Sequence, residues 1–308
     1  MISYYYSHAQ ERALQRLTAA RAGCWVVATE PTEAELDQLA TDFELERDNL
    51  TDAIDLYEAP RIEIEDKAVY IFTRYCHPEG KDIATEPLLL VYTPESLITV
   101  VRATSTVLDR LTGDKLDFIT TQKTKVLLRI LAEINRSYEI QLKQASRRIL
   151  QLRGQMRQSR LTNRDFIGII ELEEDLNEFL AALQPQALLF NSLLSGKYLR
   201  LYEEDRDIIE DIERSTSELI EQVRGRATTL VNMRQAYDTI ATNNLNAIFK
   251  RLTSIAIFLA IPTVISGLWG MNVNVPFHTS PYGFWIIVAF AAASTALAVY
   301  IFKRKRWL

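Results

Sequence analysis

A line of residues that ends at a Gly-Met-Asn turn is the part of the sequence best suited to line a pore. Its members are separated by steps of three or four residues, which place them on one face of a helix. They are Asn246, Phe249, Leu252, Ala256, Ala260, Thr263 and Gly267, and Asn272 lies just past them. The polar groups could face water inside a pore. Alternatively, they bond helix carbonyls, and the small residues allow helices to approach closely.

The residues from Leu252 to Gly267 belong to the first of two long apolar segments, near residue 260 and residue 290, and Asn246 and Phe249 lie just before it. The spans cover about 252–271 and 283–302, and a loop at 272–282 joins them. Each is about as long as a helix needs to be to cross ~30 Å of hydrocarbon. A two-helix hairpin encloses no water, so a pore would require several copies around a symmetry axis, with one helix of each at the centre.

Basic residues set the expected orientation of the hairpin. Lys250 and Arg251 precede the first span, the run Lys303, Arg304, Lys305 and Arg306 follows the second, and the loop has no Lys or Arg. The positive-inside rule therefore places both ends in the cytosol. Aromatic residues fit belts at the outer face (Trp269, Tyr282 and Trp285) and at the inner face (Tyr300 and Trp307). MISYYYSHAQERALQRL lacks a signal-peptide core, so we expect the N-terminal part to stay cytosolic.

The rest of the chain predicts an α+β membrane protein with three parts. Residues 1–114 alternate strand-like runs (SYYYS, CWVVATE, RIEIED, AVYIFTRY, PLLLVYT and SLITVVR) with a helix that Thr32 and Glu35 cap, which predicts a cytosolic α/β domain. Residues 115–250 keep an apolar period near 3.6, which predicts long helices at about 116–154, 163–195 and 200–270, the last entering the membrane. Residues 251–308 form the transmembrane hairpin.

Charge and composition exclude several functions. The net charge is -5, and the basic stretch 118–164 lies on helical spacing beside the acidic runs 171–178 and 203–213, which favours paired helix faces over nucleic-acid binding. Gly196-Lys197 lacks the remaining residues of a phosphate-binding loop, so we expect no nucleotide. Cys24 and Cys76 have no metal-ligand spacing and are expected to be buried and reduced. His8, His77 and His278 have no paired nucleophile, which argues against an enzyme.

The position of Gly270-Met271-Asn272, at the outer end of the first of two C-terminal spans, resembles that of the same motif in the CorA family of magnesium transporters. The KRKRWL terminus and the segment NNLNAIFKRLTSIAIFLAIP are also similar to the family. The resemblance covers the whole architecture. It implies a homopentameric funnel in the plasma (inner) membrane that conducts hydrated divalent cations, principally Mg²⁺ and also Co²⁺, Ni²⁺ or Zn²⁺.

The resemblance also implies roles for single residues. Gly270, Met271 and Asn272 would form the outer selectivity filter, Thr263 and Asn246 polar rings, and Leu252 an apolar constriction. Asp211 looks like the cytosolic carboxylate that holds a regulatory Mg²⁺ between subunits. The chain departs from relatives that have an acidic residue in the outer loop, a tyrosine at Trp269, or methionines at Phe249 and Ala260. These departures affect ion preference and capture.

The chemistry of magnesium agrees with these roles. Mg²⁺ gives up its water reluctantly, so a ring of amide oxygens suits a hydrated ion better than carboxylates would. A negative membrane potential supplies ~2.3 kcal/mol per charge per 100 mV, or roughly 4.6 kcal/mol for a divalent ion. Cations between like-charged acidic helices would hold the Leu252 region shut, and loss of metal would loosen it.

Two other functions remain open. A zinc transporter of the same superfamily is disfavoured because Zn²⁺ prefers nitrogen and sulfur ligands, and the stripe contains neither His nor Cys. His278 is expected to be a loop or interface residue rather than a ligand. A two-span sensor or scaffold that passes no ions would not need Asn272 at a pore mouth or a stripe that continues into the cytosol.

Overall fold

The computed structural model of the protein describes residues 1–8, 11–79, 82–113, 119–158, 161–273, 275–276 and 280–305. The chain divides into two compact units, Met1–Arg234 and Gln235–Leu308. Each unit is considered separately below, and helix α6 has residues in both.

The first unit is built on a seven-stranded sheet. Its strands are β1 (Ile2–His8), β2 (Glu11–Leu17), β3 (Trp25–Thr29), β4 (Arg61–Glu65), β5 (Ala68–Glu79), β6 (Asp82–Tyr92) and β7 (Leu97–Val101). They lie in the order β2-β1-β3-β7-β6-β5-β4. Neighbouring strands are antiparallel except for β3 and β7, which are parallel and pair Trp25 with Leu97 through Thr29 with Val101.

Seven helices complete the regular secondary structure of the described residues. They are α1 (Glu33–Phe43), α2 (Arg47–Asp52), α3 (Thr106–Thr112), α4 (Lys123–Arg157), α5 (Asn163–Leu194), α6 (Glu203–Trp269) and α7 (Gly283–Arg304). Helix α6 continues through Pro262. The break between α5 and α6 follows from Gly196, whose positive φ of 72° suits glycine.

The central strands are apolar on both faces because helices cover both sides of the sheet. Trp25, Val27, Leu88 and Leu90 join the core that includes α3, α4, α5 and the first half of α6. The alternate residues, including Val26 and Leu89, join a second core with α1 and α2. Successive residues of a strand point to opposite faces of the sheet and so enter different cores. Because both faces are buried, the sequences of these strands are continuous apolar runs.

The long helices of the first unit carry the charge pairs that the sequence predicts. Arg148 of α4 lies 3.6 Å from Glu171 of α5, and Lys125 of α4 lies 3.4 Å from Glu204 of α6. Cys24 and Cys76 are buried and free, as expected, and burial raises the pKa of the Cys76 thiol. The basic and acidic stretches therefore pair with each other.

The predicted strands and the capped helix α1 are confirmed, but the start of the first long helix differs and three elements were not predicted. The sequence predicts the first long helix from about residue 116, whereas α4 begins at Lys123. Thr120 is instead used in hydrogen bonds with Ser7, in which each backbone N–H donates to the other's hydroxyl at 2.9 and 3.1 Å. Strand β2 and the short helices α2 and α3 were not predicted.

Replacing Thr32 tests the N-terminal cap of α1. The Thr32 hydroxyl accepts from the Glu35 backbone N–H at 3.3 Å, and the Glu35 carboxylate accepts from the Thr32 backbone N–H at 2.9 Å. We expect Thr32→Ala to cost about 1 kcal/mol in the free energy of unfolding, measured by urea unfolding of the full chain in detergent. The matched control Thr41→Ala, inside the same helix, should be neutral or slightly stabilising because alanine favours helix.

The same cap has a defined pH dependence. The hydrogen bond from the Thr32 backbone, followed by the N-terminal amino group, lowers the pKa of Glu35. A carboxyl group whose pKa is lower in the folded state than in the unfolded state stabilises the fold at pH values above its unfolded pKa of about 4.3. This stabilisation is lost as the pH falls through the pKa of the folded state. The difference between wild type and Glu35→Gln should therefore shrink below about pH 4. A constant difference from pH 7 to pH 3 would contradict this.

Candidate ion-conduction site

The second unit contains two helices that are long and apolar enough to cross a membrane. The most apolar 18-residue windows of α6 and α7 have mean hydropathies of 1.9 and 2.1. In both windows only 6% of residues are buried inside the chain. Apolar side chains that a single chain leaves exposed need either lipid or other copies of the chain around them.

Helix α7 runs antiparallel to the end of α6. The Phe258 and Phe302 rings meet edge to face, with centroids 5.4 Å apart. Closer to the loop, Pro262 and Ser266 line the same groove as Ala291 and Thr295, with a volume of about 690 Å³. At the turn itself, the Trp269 indole N–H donates to the Pro276 carbonyl at 3.3 Å. Residues further along α6 thus contact residues earlier in α7, as expected for antiparallel helices.

One face of α6 has reduced exposure along this contact. The residues on it are Ser254, Phe258, Ile261, Pro262, Ile265 and Trp269. Their partners on α7 have the same spacing and are Gly283, Ile287, Ala291, Thr295, Ala298 and Phe302. We call these two sets the hairpin seam. Steps of three and four residues are those of one helix face packed against a neighbour.

The stripe predicted from the sequence lies on the other side of α6. At 3.6 residues per turn, its centre is about 180° from the centre of the hairpin seam. All seven positions from Asn246 to Gly267 are exposed, including Phe249 at 62% and Leu252 at 65%. Within the second unit, the stripe is therefore the face of α6 turned away from α7.

The polar groups on the stripe are held by their own helix. The Thr263 hydroxyl donates to the Leu259 carbonyl at 2.8 Å, which fixes its position and leaves the oxygen lone pairs outward. Gly267 has open space where a Cβ would be, so a close approach by another helix at this level would meet no side chain. Both readings of the stripe, oxygen donors and close helix packing, thus agree with the local geometry.

The Gly-Met-Asn turn begins as soon as α6 ends at Trp269. The Gly270 backbone N–H donates to the Ser266 carbonyl at 2.9 Å. A Cβ on Gly270 would lie 3.2 Å from that carbonyl oxygen, which favours glycine. Met271 and Asn272 follow in the turn and are exposed. The turn thus places an amide side chain just beyond the end of the stripe, while His278 lies outside the described residues.

The proposed regulatory residue Asp211 lies in the first unit, on the surface of α6. Its side chain is 73% exposed and pairs with Arg214 at 3.4 Å. In the described parts of the chain, no group of three or more His, Cys, Asp or Glu side chains could hold a metal ion. Asp211 is therefore not part of such a group within the described residues.

The predicted basic ring is at the end of α7. Lys303 and Arg304 are in its last turn, and Lys305 is the C-cap residue. Arg306 lies outside the described residues. The sequence analysis did not identify the Phe258–Phe302 contact, although both phenylalanines lie on apolar i, i+4 rows that could have indicated a helix pair.

A globular α/β domain, a long helix and two apolar C-terminal helices define the class of protein: a membrane protein with a large soluble domain. Comparison with known proteins gives the family. Residues 21–304 match the family described as CorA-like Mg²⁺ transporter protein, and the chain belongs to this family. The resemblance inferred from the Gly-Met-Asn motif is thus confirmed.

Individual relatives agree over most of the chain. The cobalt/magnesium transport protein CorA of Methanocaldococcus jannaschii is 27% identical over 305 residues, which cover 92% of this chain and 91% of the relative. The complete structure of the CorA magnesium transporter from the same organism has a TM-score of 0.87 at 22% identity and covers 100% of this chain and 99% of that one. This structural match confirms the predicted fold class.

A more distant match is the cytoplasmic domain of ZntB from Vibrio parahaemolyticus. Its TM-score is 0.62 at 10% identity, over 79% of this chain and 97% of that one, which shows a shared fold alone. These relatives are transporters by name rather than enzymes. Family membership and the two apolar helices together indicate an inner-membrane protein.

Cross-linking tests the hairpin seam. With cysteines at Phe258 and Phe302, a short bis-maleimide should join α6 to α7 within one chain, because the two rings are in contact. Cysteines at Ala256 and Phe302 form the matched control and should link at least tenfold less, since residue 256 lies about 160° around the helix from residue 258. Protease cleavage in the loop, followed by gel electrophoresis, reports the linkage. Equal linking of both pairs would contradict the assigned faces.

Proposed function

We propose that the protein is a homopentameric channel for divalent cations, principally Mg²⁺, whose pore is lined by the stripe of α6. The observation that carries this proposal is the division of α6 into two opposite faces. One packs against α7, and the other presents small, polar and apolar residues at helical spacing with no covering within the second unit. The number of subunits comes from the resemblance to CorA transporters.

The residue types along the stripe fit a hydrated cation. In a ring of copies, Asn272 would offer amide oxygens at the outer mouth, and Thr263 and Asn246 would offer oxygens deeper in the pore. Neutral oxygens can orient the waters of Mg²⁺ without a strong direct bond, so the ion can leave again. Leu252, between Phe249 and Ala256 on the same face, would form an apolar constriction where the pore can close by dewetting.

The membrane potential is the proposed driving force. A divalent ion that enters a negative interior gains roughly 4.6 kcal/mol per 100 mV, twice the value for one charge. The positive-inside rule, applied to Lys250, Arg251 and the run 303–306, predicts that the start of the first span and the end of the second are in the cytosol. Inward flow of cations then needs no nucleotide, in line with the named function of the relatives.

Control by internal metal is the proposed regulation. Glu204, Asp207, Asp211, Glu218 and Glu221 are exposed on α6 at mostly helical spacing. Such a face on neighbouring copies would repel its equivalents unless cations lay between them. High internal Mg²⁺ would thus favour a closed ring and low Mg²⁺ an open one.

Zinc is the second candidate ion. The fold is shared with a ZntB domain, but fold likeness does not carry ion choice. The stripe contains no nitrogen or sulfur ligand of the kind that Zn²⁺ prefers. An outer-sphere filter would still pass several divalent ions, so Co²⁺, Ni²⁺ and Zn²⁺ belong in the same transport experiment.

Replacing Asn272 tests the filter. Purified protein in vesicles, with an imposed negative interior potential, should take up Mg²⁺, and Asn272→Ala should reduce the initial rate at least tenfold because the amide dipoles that replace outer waters are lost. The control Ser280→Ala changes a loop residue off the stripe and should keep uptake within twofold. Wild-type vesicles that take up no divalent cation, or unchanged uptake by Asn272→Ala, would contradict the assignment.

Replacing Asp211 tests the regulation separately. Internal Mg²⁺ should inhibit uptake by wild type, and Asp211→Lys should raise the half-inhibiting concentration at least fivefold, because a cation replaces a metal ligand. Glu174→Lys is a matched control, since Glu174 is also an exposed carboxylate but lies on α5, outside this acidic face. If both variants shift equally, the effect is general charge repulsion and not a site at Asp211.

A further inference from the structure

The second unit carries an excess of positive charge that its own side chains cannot balance. After Asp238 the sequence has no Asp or Glu, whereas it has Lys250, Arg251 and the basic run 303–306. Asp238 lies twelve residues before Lys250 on α6, about 18 Å along the helix. The five described cations are all exposed. Their counter-ions must therefore come from outside the second unit.

Two of these cations lie on α6. Arg251 is seven residues before Phe258 and continues its row of the hairpin seam. Lys250 is four residues before Ser254 and four after Asn246, so it lies at the edge between the seam and the stripe. Arg251 thus lies at the periphery of the proposed pore, and Lys250 lies beside its lining.

One cation on α7 lies on the matching face. The Lys305 backbone N–H donates to the Ile301 carbonyl at 3.0 Å, so the helical turn continues to this residue. Lys305 is three residues after Phe302 and seven after Ala298, which places it on the hairpin seam. Lys303 and Arg304 are turned about 100° and 200° from Phe302 around the helix. They lie on other faces of α7.

Lys250, Arg251 and Lys305 lie at similar heights along the axes of the two helices. Counted from the Phe258–Phe302 contact, Lys305 lies about 4.5 Å further along α7, and Arg251 and Lys250 lie about 10 and 12 Å back along α6. The axial gap of about 6 to 8 Å is within reach of long side chains that extend toward one anion. The seam therefore brings Lys250, Arg251 and Lys305 together where the apolar segments end.

An apolar groove lies between the same two helices, on the other side of the Phe258–Phe302 contact from the cations. It is lined by Pro262, Ile287, Val288, Ala292 and Val299, among others, and has a volume of about 690 Å³. Val299 is about 9 Å along α7 from Lys305, within reach of an acyl chain, so the cations and the groove together match a molecule with an anionic head and a hydrocarbon chain. A free inorganic anion would use the cations but not the groove.

We propose that Lys250, Arg251 and Lys305 bind the phosphodiester headgroup of an anionic phospholipid, with an acyl chain along the groove of the hairpin seam. The lysine ammonium groups and the Arg251 guanidinium donate hydrogen bonds to the phosphate oxygens. The proposal rests on the two helices crossing the membrane and not on the identity of the transported ion. In a ring of copies, these lipids would offset repulsion between the cationic clusters and an exiting cation.

A matched pair of double variants tests the site. R251Q/K305Q removes two seam cations, and K303Q/R304Q removes two neighbouring cations from the other faces of α7, so net charge changes equally. The full chain in neutral detergent is titrated with dioctanoyl phosphatidylglycerol and with dioctanoyl phosphatidylcholine, and bound lipid is counted by native mass spectrometry. Wild type should bind the anionic lipid at least tenfold more tightly than the zwitterionic one.

The two variants should then differ in their affinity for phosphatidylglycerol. R251Q/K305Q should weaken phosphatidylglycerol binding about 25-fold, from roughly fivefold per cation, while K303Q/R304Q stays within twofold of wild type. Equal weakening in both would show diffuse attraction and overturn the site, as would no weakening in either. Inorganic phosphate or glycerol phosphate that displaces the lipid at equal concentration would overturn the lipid assignment.

Folding is controlled in the same samples. Elution volume and circular dichroism should match wild type for both variants. If R251Q/K305Q does not purify as a folded protein, Lys305→Gln alone should weaken binding about fivefold, and Lys305→Arg should restore it, because either cation can pair with a phosphate. Unchanged binding by Lys305→Gln would overturn the proposal. Binding is measured without ion transport, so these results do not depend on the proposed channel activity.

Discussion

A pair of helices has no interior, and this constraint governs the membrane part of the protein. Helix α6 can give only one face to α7, through Phe258, Pro262 and Ile265. The opposite face carries Asn246, Thr263 and Gly267, and polar groups in hydrocarbon need partners. If copies of this face surrounded a common axis, the polar groups could form hydrogen bonds with water in the pore and with each other. The proposed oligomer thus provides hydrogen-bond partners for the polar groups of the stripe.

The seam and the stripe have different chemistry because they have different neighbours. The seam pairs the rings of Phe258 and Phe302, and Pro262 and Ala291 line one groove on it. The stripe carries small and polar residues, with Leu252 and Phe249 toward its N-terminal end. Charge is excluded from both until the apolar segments end, where Arg251 and Lys305 lie on the seam and Lys250 lies at its edge. An unpaired charge on the stripe would bind or repel a passing cation too strongly.

Much of the fold could be predicted from sequence because local signals agreed with the final structure. The Thr32–Glu35 capping box, the strands with apolar runs and the long apolar periods are each confirmed. Strand β2 was not predicted, since ERALQRL has few β-branched residues and is held by pairing with β1. The start of α4 was predicted about seven residues early because Thr120 is used in tertiary hydrogen bonds with Ser7.

The candidate site could be predicted in part, for a related reason. Spacing alone gave the stripe, because helix periodicity is local. The seam required knowing which apolar row meets α7, and the Phe258–Phe302 contact is not encoded in either segment alone. The residues that would accompany Asp211 in the proposed regulatory site are distant from it in sequence or belong to another copy of the chain, so local patterns do not identify them. Ion preference depends on pore radius in the assembled ring, which no local pattern fixes.

The central claim is that the face of α6 opposite α7 is in contact with water inside the membrane. Single cysteines at each position from 252 to 267, in protein reconstituted into sealed vesicles, can be reacted with a small water-soluble thiol reagent. The account predicts fast modification at residues 252, 256, 260, 263 and 267 and slow modification at 254, 258, 261 and 265, with the transported cation slowing the fast set. Uniformly slow reaction of the stripe, or fast reaction of the seam residues instead, would contradict it.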